Sequence, residues 1–232
     1  MTTETIYEHI SAIAERMSGT PDFAHGLSCD IIGEKIYHVY NNNYPETEAT
    51  ICLGDNTVNA LSGSRLENKS LALNEVLNCP QGQFIKEAKY IIDNGAFVYE
   101  TDPEGRVGRV VATLSPVVCI KHGKPAKHPS DKDKKECDEF GHIIAQALMG
   151  PNERINIVDL HWATNKDMMA HLESFLSSPQ RLGTAFKTTV TVEILYPNAA
   201  TLRPSAIHYT AEVVSTIMSG TLSFSLNNQL YL

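Results

Sequence analysis

The run AFVYETDPEGRVGRVVATLS, residues 96–115, leaves little choice of local structure. Apolar residues alternate on both sides of an Asp-Pro-Glu-Gly turn. Proline presets φ there, and glycine takes the backbone position that other residues avoid. Two alternating runs joined this way make an antiparallel hairpin, predicted over residues 96–114. FIKEAKYII, residues 84–92, is another alternating segment. INIVDL (155–160), KTTVTVEILYP (187–197), PSAIHYTAEVVSTIM (204–218) and TLSFSL (221–226) read as further strands. A single helix stands among them, TNKDMMAHLESFLSS from Thr164. Met169, Leu172 and Leu176 form its apolar stripe, flanked by Met168 and Phe175. Thr164 is the expected N-cap, with Asp167 at the third helical position and Pro179 as the stop. Strands, one helix and more strands predict an α+β domain with an antiparallel sheet.

The first 80 residues are less regular. Residues 4–17 read as an amphipathic helix with Ile6, Ile10, Ile13 and Ala14 on one face. YHVY and TICL are short strand candidates. NNNYPETE and LGDNTVNALSGSRLENKS read as loops, and SLALNEVL as a short helix. Pattern and charge both change near residue 80. We therefore expect an acidic extension, helical and irregular, over 1–80 and the main domain over 81–232.

Charge is uneven. The formal net charge is −8, yet residues 1–60 hold nine acids and two bases, a net −7. Residues 61–232 hold 18 acids and 17 bases and are nearly neutral. Within them lies KHGKPAKHPSDKDKK, residues 121–135, with six lysines against two aspartates. On charge alone this is a solvated loop; it also suits a polyanion. Five cysteines without a C-x-x-C pair indicate neither a disulfide framework nor a zinc knuckle. No run approaches the roughly 20 apolar residues of a membrane helix. The acidic N-terminus is unlike a cleaved signal peptide, so the expected locations are the producer's cytoplasm and a target reached by export without one.

The lysine segment leads directly to DEFGHIIAQALMG, residues 138–150. His142 reads either as a packed histidine or as a base on a sharp turn. Phosphodiester hydrolysis needs a base active near neutral pH, a hard cation on the phosphate oxygens and positive charge for the polyanion. Histidine suits the first. An asparagine amide oxygen suits Mg²⁺, which keeps most of its waters. Lys124, Lys127 and Lys135 suit the third. Trp162 reads first as a core residue, with base stacking as the other reading.

Taken together, TDPEGR, DEFGHIIA, MGP, INIV, NKDMMAHLE, EILYP and RPSAIHY resemble, in order and spacing, the DNA/RNA non-specific endonucleases of the ββα-metal (His-Me finger) superfamily. The resemblance spans about residues 83–218. It is nearer to the divergent branch found as toxin domains of bacterial secretion systems and in streptococcal phage DNases.

The resemblance implies a ββα-metal core and a metal-dependent endonuclease acting on DNA, with RNA as a second substrate. His142 is the implied general base, and Asn165 the implied ligand of one Mg²⁺ (or Mn²⁺). Glu173 would hold metal-bound water. Eight positions along a helix separate it from Asn165 by about 80° and roughly 12 Å, too far to share the ion directly. Asp138 or Glu139 fills the acidic place before Gly-His, and Asn156 orients the His-bearing loop. Phe140 departs from the pattern, because many relatives carry arginine there. Arg109, Lys135, Arg154 and Arg181 are the cations that could replace it. The implied role is an antibacterial effector toxin held in check by a cognate immunity protein. The alternative is a nuclease fold that has lost catalysis and serves as a binding module.

Overall fold

The computed structural model describes backbone strands within residues 27–60, Leu77, residues 81–114 and 133–172, Ser174, Leu176, and residues 186–216 and 219–228. In chain order the strands are β1 (Leu27–Gly33), β2 (Ile36–Asn41), β3 (Tyr44–Cys52), β4 (Thr57–Ala60), β5 (Lys89–Ile92), β6 (Phe97–Thr101), β7 (Val107–Leu114), β8 (Asp138–His142), β9 (Ile157–His161), β10 (Phe186–Leu195), β11 (Ala206–Ser215) and β12 (Ser219–Asn227). Among the described residues, ten of them form one sheet in the order β1 to β7, then β10, β11 and β12. Every neighbouring pair in it is antiparallel except β4–β5, which is parallel. Strands β8 and β9 form a separate antiparallel pair. A helix, α1, follows β9, with residues 162–172, 174 and 176 helical. Its segment Thr164–Met169 is widened to a π-helix. β8, β9 and α1 are the ββα unit that the resemblance implied.

The 96–114 hairpin forms as β6 and β7, for reasons visible in its turn. Asp102 Oδ1 accepts from the backbone N–H of Glu104 at 3.0 Å and of Arg106 at 2.8 Å. Gly105 takes φ +74°, and a Cβ there would lie 2.5 Å from the Phe84 carbonyl. The Arg106 guanidinium bonds Asp102 and the carbonyls of Asn198 and Thr201, and stacks 4.1 Å from the Tyr196 ring centroid. The turn is thereby fastened to the segment beyond β10.

One core joins the large sheet to the ββα unit. Tyr90, Tyr99, Val110, Val192 and Tyr209 of the sheet are buried with Ile143, Val158, Leu160, Met169, Leu172 and Leu176. Full burial of each such side chain stabilises by about 1.5–3 kcal/mol, which is the force holding the small unit in place. The α1 stripe read from the sequence is thus the buried one. Polar side chains add direction. Tyr209 Oη donates to the Ile143 carbonyl at 3.0 Å, and Asn228 Nδ2 to the Asp159 carbonyl at 3.0 Å. Gln81 spans the two sheets, donating to the Ile157 carbonyl at 3.1 Å and accepting from Val107 N–H at 3.0 Å.

Three expectations change. NNNYPETE and the segment around TVNA were expected to be loops, yet Tyr44–Cys52 and Thr57–Ala60 are strands. Their polar composition hides strand pairing supplied by β2 and by each other. Pro45 is tolerated because the register shift against β2 skips it and pairing with β4 begins only at Ala49. The described residues between 27 and 60 are therefore strands, with YHVY inside β2 and the start of TICL ending β3 as expected, while the helix expected at 4–17 lies outside the described residues. Third, α1 begins before Thr164. The His161 ring occupies the cap instead, with Nδ1 accepting from Ala163 N–H at 3.3 Å, while Trp162 N–H bonds the Cys137 carbonyl at 3.0 Å. Thr164 Oγ1 instead donates to the Asn227 carbonyl at 3.2 Å.

Candidate active site

Strand β8 runs Asp138, Glu139, Phe140, Gly141, His142, and a strand turns successive side chains to opposite faces. Glu139 and Gly141 meet α1. Asn165 Nδ2 donates to Glu139 Oε2 at 3.2 Å, and Lys166 Nζ stands 2.7 Å from Glu139 Oε1. Gly141 pairs with Val158 across the ladder and is not on a sharp turn. Its value is the missing side chain. A Cβ there would lie 2.9 Å from Asn165 Oδ1 and 2.4 Å from Leu160 Cδ1. Glycine thus lets the asparagine amide lie against the strand, one residue before His142.

Glu139 remains a carboxylate. The Lys166 hydrogen bond lowers its pKa, partial burial opposes this, and the Asn165 bond with the Lys166 and Lys134 charges adds to the lowering. Asn165 Oδ1 is the hard oxygen type that Mg²⁺ or Mn²⁺ prefers, while the Glu139 oxygens are engaged by Asn165 Nδ2 and Lys166. Among the described residues no group of three or more His, Cys, Asp or Glu could hold a metal. A single amide oxygen such as Asn165 Oδ1 suits an ion that keeps most of its waters.

His142 ends β8, partly buried, with Nε2 3.1 Å from Asn152 Oδ1. The loop after it is pinned by Asn156, which is fully buried. Asn156 Oδ1 accepts from Ile144 N–H at 2.8 Å, and Nδ2 donates to the Ile144 and Pro151 carbonyls at 2.7 Å each. Asn156 thus bonds the loop at Ile144 and at Pro151.

Other expected residues fall elsewhere. Asp138 is sealed under Arg203, whose Nε and Nη2 reach its two oxygens at 2.6 and 2.8 Å, and Lys135 N–H adds a third bond at 2.8 Å. Burial raises the Asp138 pKa, but the Arg203 hydrogen bonds, the Lys135 bond and both positive charges lower it further. That carboxylate faces the protein interior and has no open approach. Arg154 was expected to meet substrate, but it is fully buried, donates to the Ile157 carbonyl and lies 5.6 Å from the Phe140 ring centroid. It braces the hairpin from inside. Arg109 sits on the large sheet in an ion pair with Glu100 at 3.0 Å. Lys135 lines an open depression of about 480 Å³ with Asp133, Arg203 and Asn228, which includes neither His142 nor Asn165. Trp162, expected in the core, is 47 % exposed. Glu173, Lys124, Lys127 and Arg181 lie outside the described residues.

Several contributors were not expected. Lys166 and Lys134 bring positive charge to β8, the latter 4.1 Å from the Phe140 ring centroid. Arg203 and Tyr209 anchor β8 and the loop after it. Both stand in RPSAIHY, a motif quoted in the resemblance without a role for either residue. Asn152 and Gln146 gave no sequence signal, because their meeting depends on loop geometry.

The sequence profile of the DNA/RNA non-specific endonuclease family matches residues 86–215. Among curated proteins no relative matches the chain. Among solved structures the fold is similar to NucA from Streptococcus agalactiae with magnesium ion bound, at 14 % identity and TM-score 0.46 over 99 % of this chain and 91 % of that one. It is also similar to a structure described as an extracellular endonuclease, at 16 % identity and TM-score 0.40 over 54 % and 74 %. The Sda1 nuclease with bound zinc ion is similar at 12 % identity and TM-score 0.42, over 58 % and 76 %.

Proposed function

This chain belongs to the DNA/RNA non-specific endonuclease family and is a phosphodiester-hydrolysing nuclease, and we propose that it depends on a divalent metal, with His142 as its general base and Asn165 as its metal ligand. One observation carries the metal assignment: Glu139 holds the Asn165 amide against Gly141. His142 takes a proton from water, the oxygen attacks phosphorus, and the bond to the leaving oxygen breaks. A bound Mg²⁺ or Mn²⁺ at Asn165 would supply the charge that stabilises the phosphate oxygens during the exchange. Glu139 positions Asn165 and Lys166, while Asp138 anchors β8 through Arg203. Lys166 and Lys134 meet the phosphate backbone, with Lys124, Lys127 and Lys135 extending the basic surface and Glu173 holding water at the metal. DNA is the proposed substrate, with RNA second.

The decisive experiment is plasmid digestion with Mg²⁺, with EDTA as control. His142→Ala should lose roughly 10²- to 10⁴-fold in rate, the usual contribution of a positioned base, with its circular dichroism unchanged. Digestion by His142→Ala at the wild-type rate would sink the mechanism. Retained digestion in EDTA would sink the metal assignment.

The biological role we propose is an antibacterial toxin that is delivered into target cells and neutralised by an immunity protein. The motif order shared with toxin-type relatives supports this reading. Expression in a bacterial cytoplasm should arrest growth, and His142→Ala should relieve the arrest. Equal growth of the wild-type and variant strains would count against a toxin.

A further inference from the structure

We infer that Asn152, held by Gln146, is a positioning residue that decides which nitrogen of His142 acts as base, and that this nitrogen is Nδ1. The inference deepens the reading of His142 as base and rests on it. The Gln146 side-chain amide donates to Asn152 Oδ1 at 2.7 Å. The same oxygen lies 3.1 Å from His142 Nε2. An amide oxygen has no proton to give, so the proton of that contact sits on Nε2. In a neutral imidazole the basic lone pair then belongs to Nδ1. The Gln146 bond also orients Asn152, since only the oxygen end of the amide can receive it.

These two residues ride on an ordered segment. Gln146 opens the 3-10 turn Gln146–Leu148, and a second such turn, Arg154–Asn156, returns the chain to β9. Asn156 ties both ends of the loop through Ile144 and Pro151. Ile143 N–H bonds the Asn156 carbonyl at 2.8 Å, and Tyr209 Oη bonds the Ile143 carbonyl. Asn152 therefore meets a ring whose strand and loop are both fixed. It can set the ring's rotation as well as its tautomer. A ring turned over by half a rotation would present the protonated nitrogen to water, where it cannot accept.

The test is nitrogen-15 NMR of the full chain with labelled histidine. The nine histidines are separated by comparison with His142→Gln. Wild type should show His142 protonated at Nε2, with a slowly exchanging N–H resonance. Asn152→Leu should lose that resonance and lower kcat roughly tenfold to a hundredfold with KM held, the usual scale for a misoriented group. Asn152→Asp keeps an acceptor and should keep the resonance. A His142 ring protonated at Nδ1 in wild type would overturn the assignment while leaving the base reading intact, and that measurement needs no variant to fold. Survival of the resonance and of kcat in Asn152→Leu would overturn the positioning role. Undiminished cleavage by His142→Ala would remove the base reading and the role with it, whatever the tautomer.

Discussion

Replacing Gly141 by alanine would place a carbon 2.4 Å from Leu160 Cδ1 and 2.9 Å from Asn165 Oδ1. Leu160 is wholly buried and cannot yield cheaply. Overpacking of this kind costs about 1–3 kcal/mol, so Gly141→Ala should lower the melting temperature. Because the displaced group is the proposed metal ligand, cleavage should fall more than stability predicts, with a raised Mg²⁺ requirement. Titrating Mg²⁺ in the digestion assay checks this. The Asp138–Arg203 pair has its own pH signature. The folded carboxyl titrates below its unfolded value, so its contribution is complete above about pH 4 and is lost as pH falls through the lowered folded value. Asp138→Asn should therefore flatten acid unfolding in that range while weakening the fold at neutral pH. Arg203→Leu strands a buried carboxylate and should cost roughly 3–5 kcal/mol. Denaturant unfolding at several pH values measures both.

At the scale of elements, β8, the loop after it, β9 and α1 act as one device. The loop needs a fastener because it must present Gln146 and Asn152 at fixed positions. Asn156 provides three hydrogen bonds from a fully buried amide. Asn156→Ala leaves three buried backbone groups unpaired at about 1–3 kcal/mol each, so a loss of roughly 3 kcal/mol or more is expected. Hydrogen exchange should show faster exchange at the Ile144 amide in the variant, and cleavage should drop with it. Helix α1 departs from regular geometry where it carries Asn165 and Lys166, inside the π-helical segment Thr164–Met169. Such widened turns occur often at functional sites. Alternation marked β6, β7 and β10 to β12 in the sequence because each has one face less exposed than the other. It marked β2 and the end of β3 through YHVY and TICL, and missed the start of β3 and all of β4, where strand character comes from pairing. The α1 stripe was legible from spacing, but its cap was not, since His161 reads as an ordinary strand residue until its ring meets Ala163.

For the whole molecule, the sheet continues across residue 80, where a division between an acidic extension and the nuclease-like domain was expected. Thr57–Ala60 of β4 pair in parallel with Lys89–Ile92 of β5. A chain shortened to residues 81–232 would leave the β5 edge without that partner. Exposed edges recruit other chains, so the shortened protein should self-associate in size-exclusion chromatography. A soluble monomer with full nuclease activity would instead support the division at 80. The same preparation addresses charge. Removing residues 1–80, with eleven acids and four bases, takes away a net −7. DNA affinity should then rise, most visibly at low salt, where unscreened repulsion is strongest.

The sequence by itself determined the antiparallel α+β class, the turn at Asp102–Arg106, the buried stripe of α1 and the residues flanking Gly-His. Those features follow from local patterns: period two, period 3.6, turn chemistry and a motif order shared with a family. Only the tertiary structure decided which charged groups face the site. Glu139 and Asp138 are neighbours with the same chemistry, yet strand alternation sends one to Asn165 and Lys166 and the other into the grip of Arg203, 65 residues away in sequence. Arg154 is a cation in the right stretch of chain that the core has closed over. Gln146, Asn152 and His142 meet because a loop folds back on itself. Such partnerships depend on approach in space, and no residue spacing along the chain encodes them.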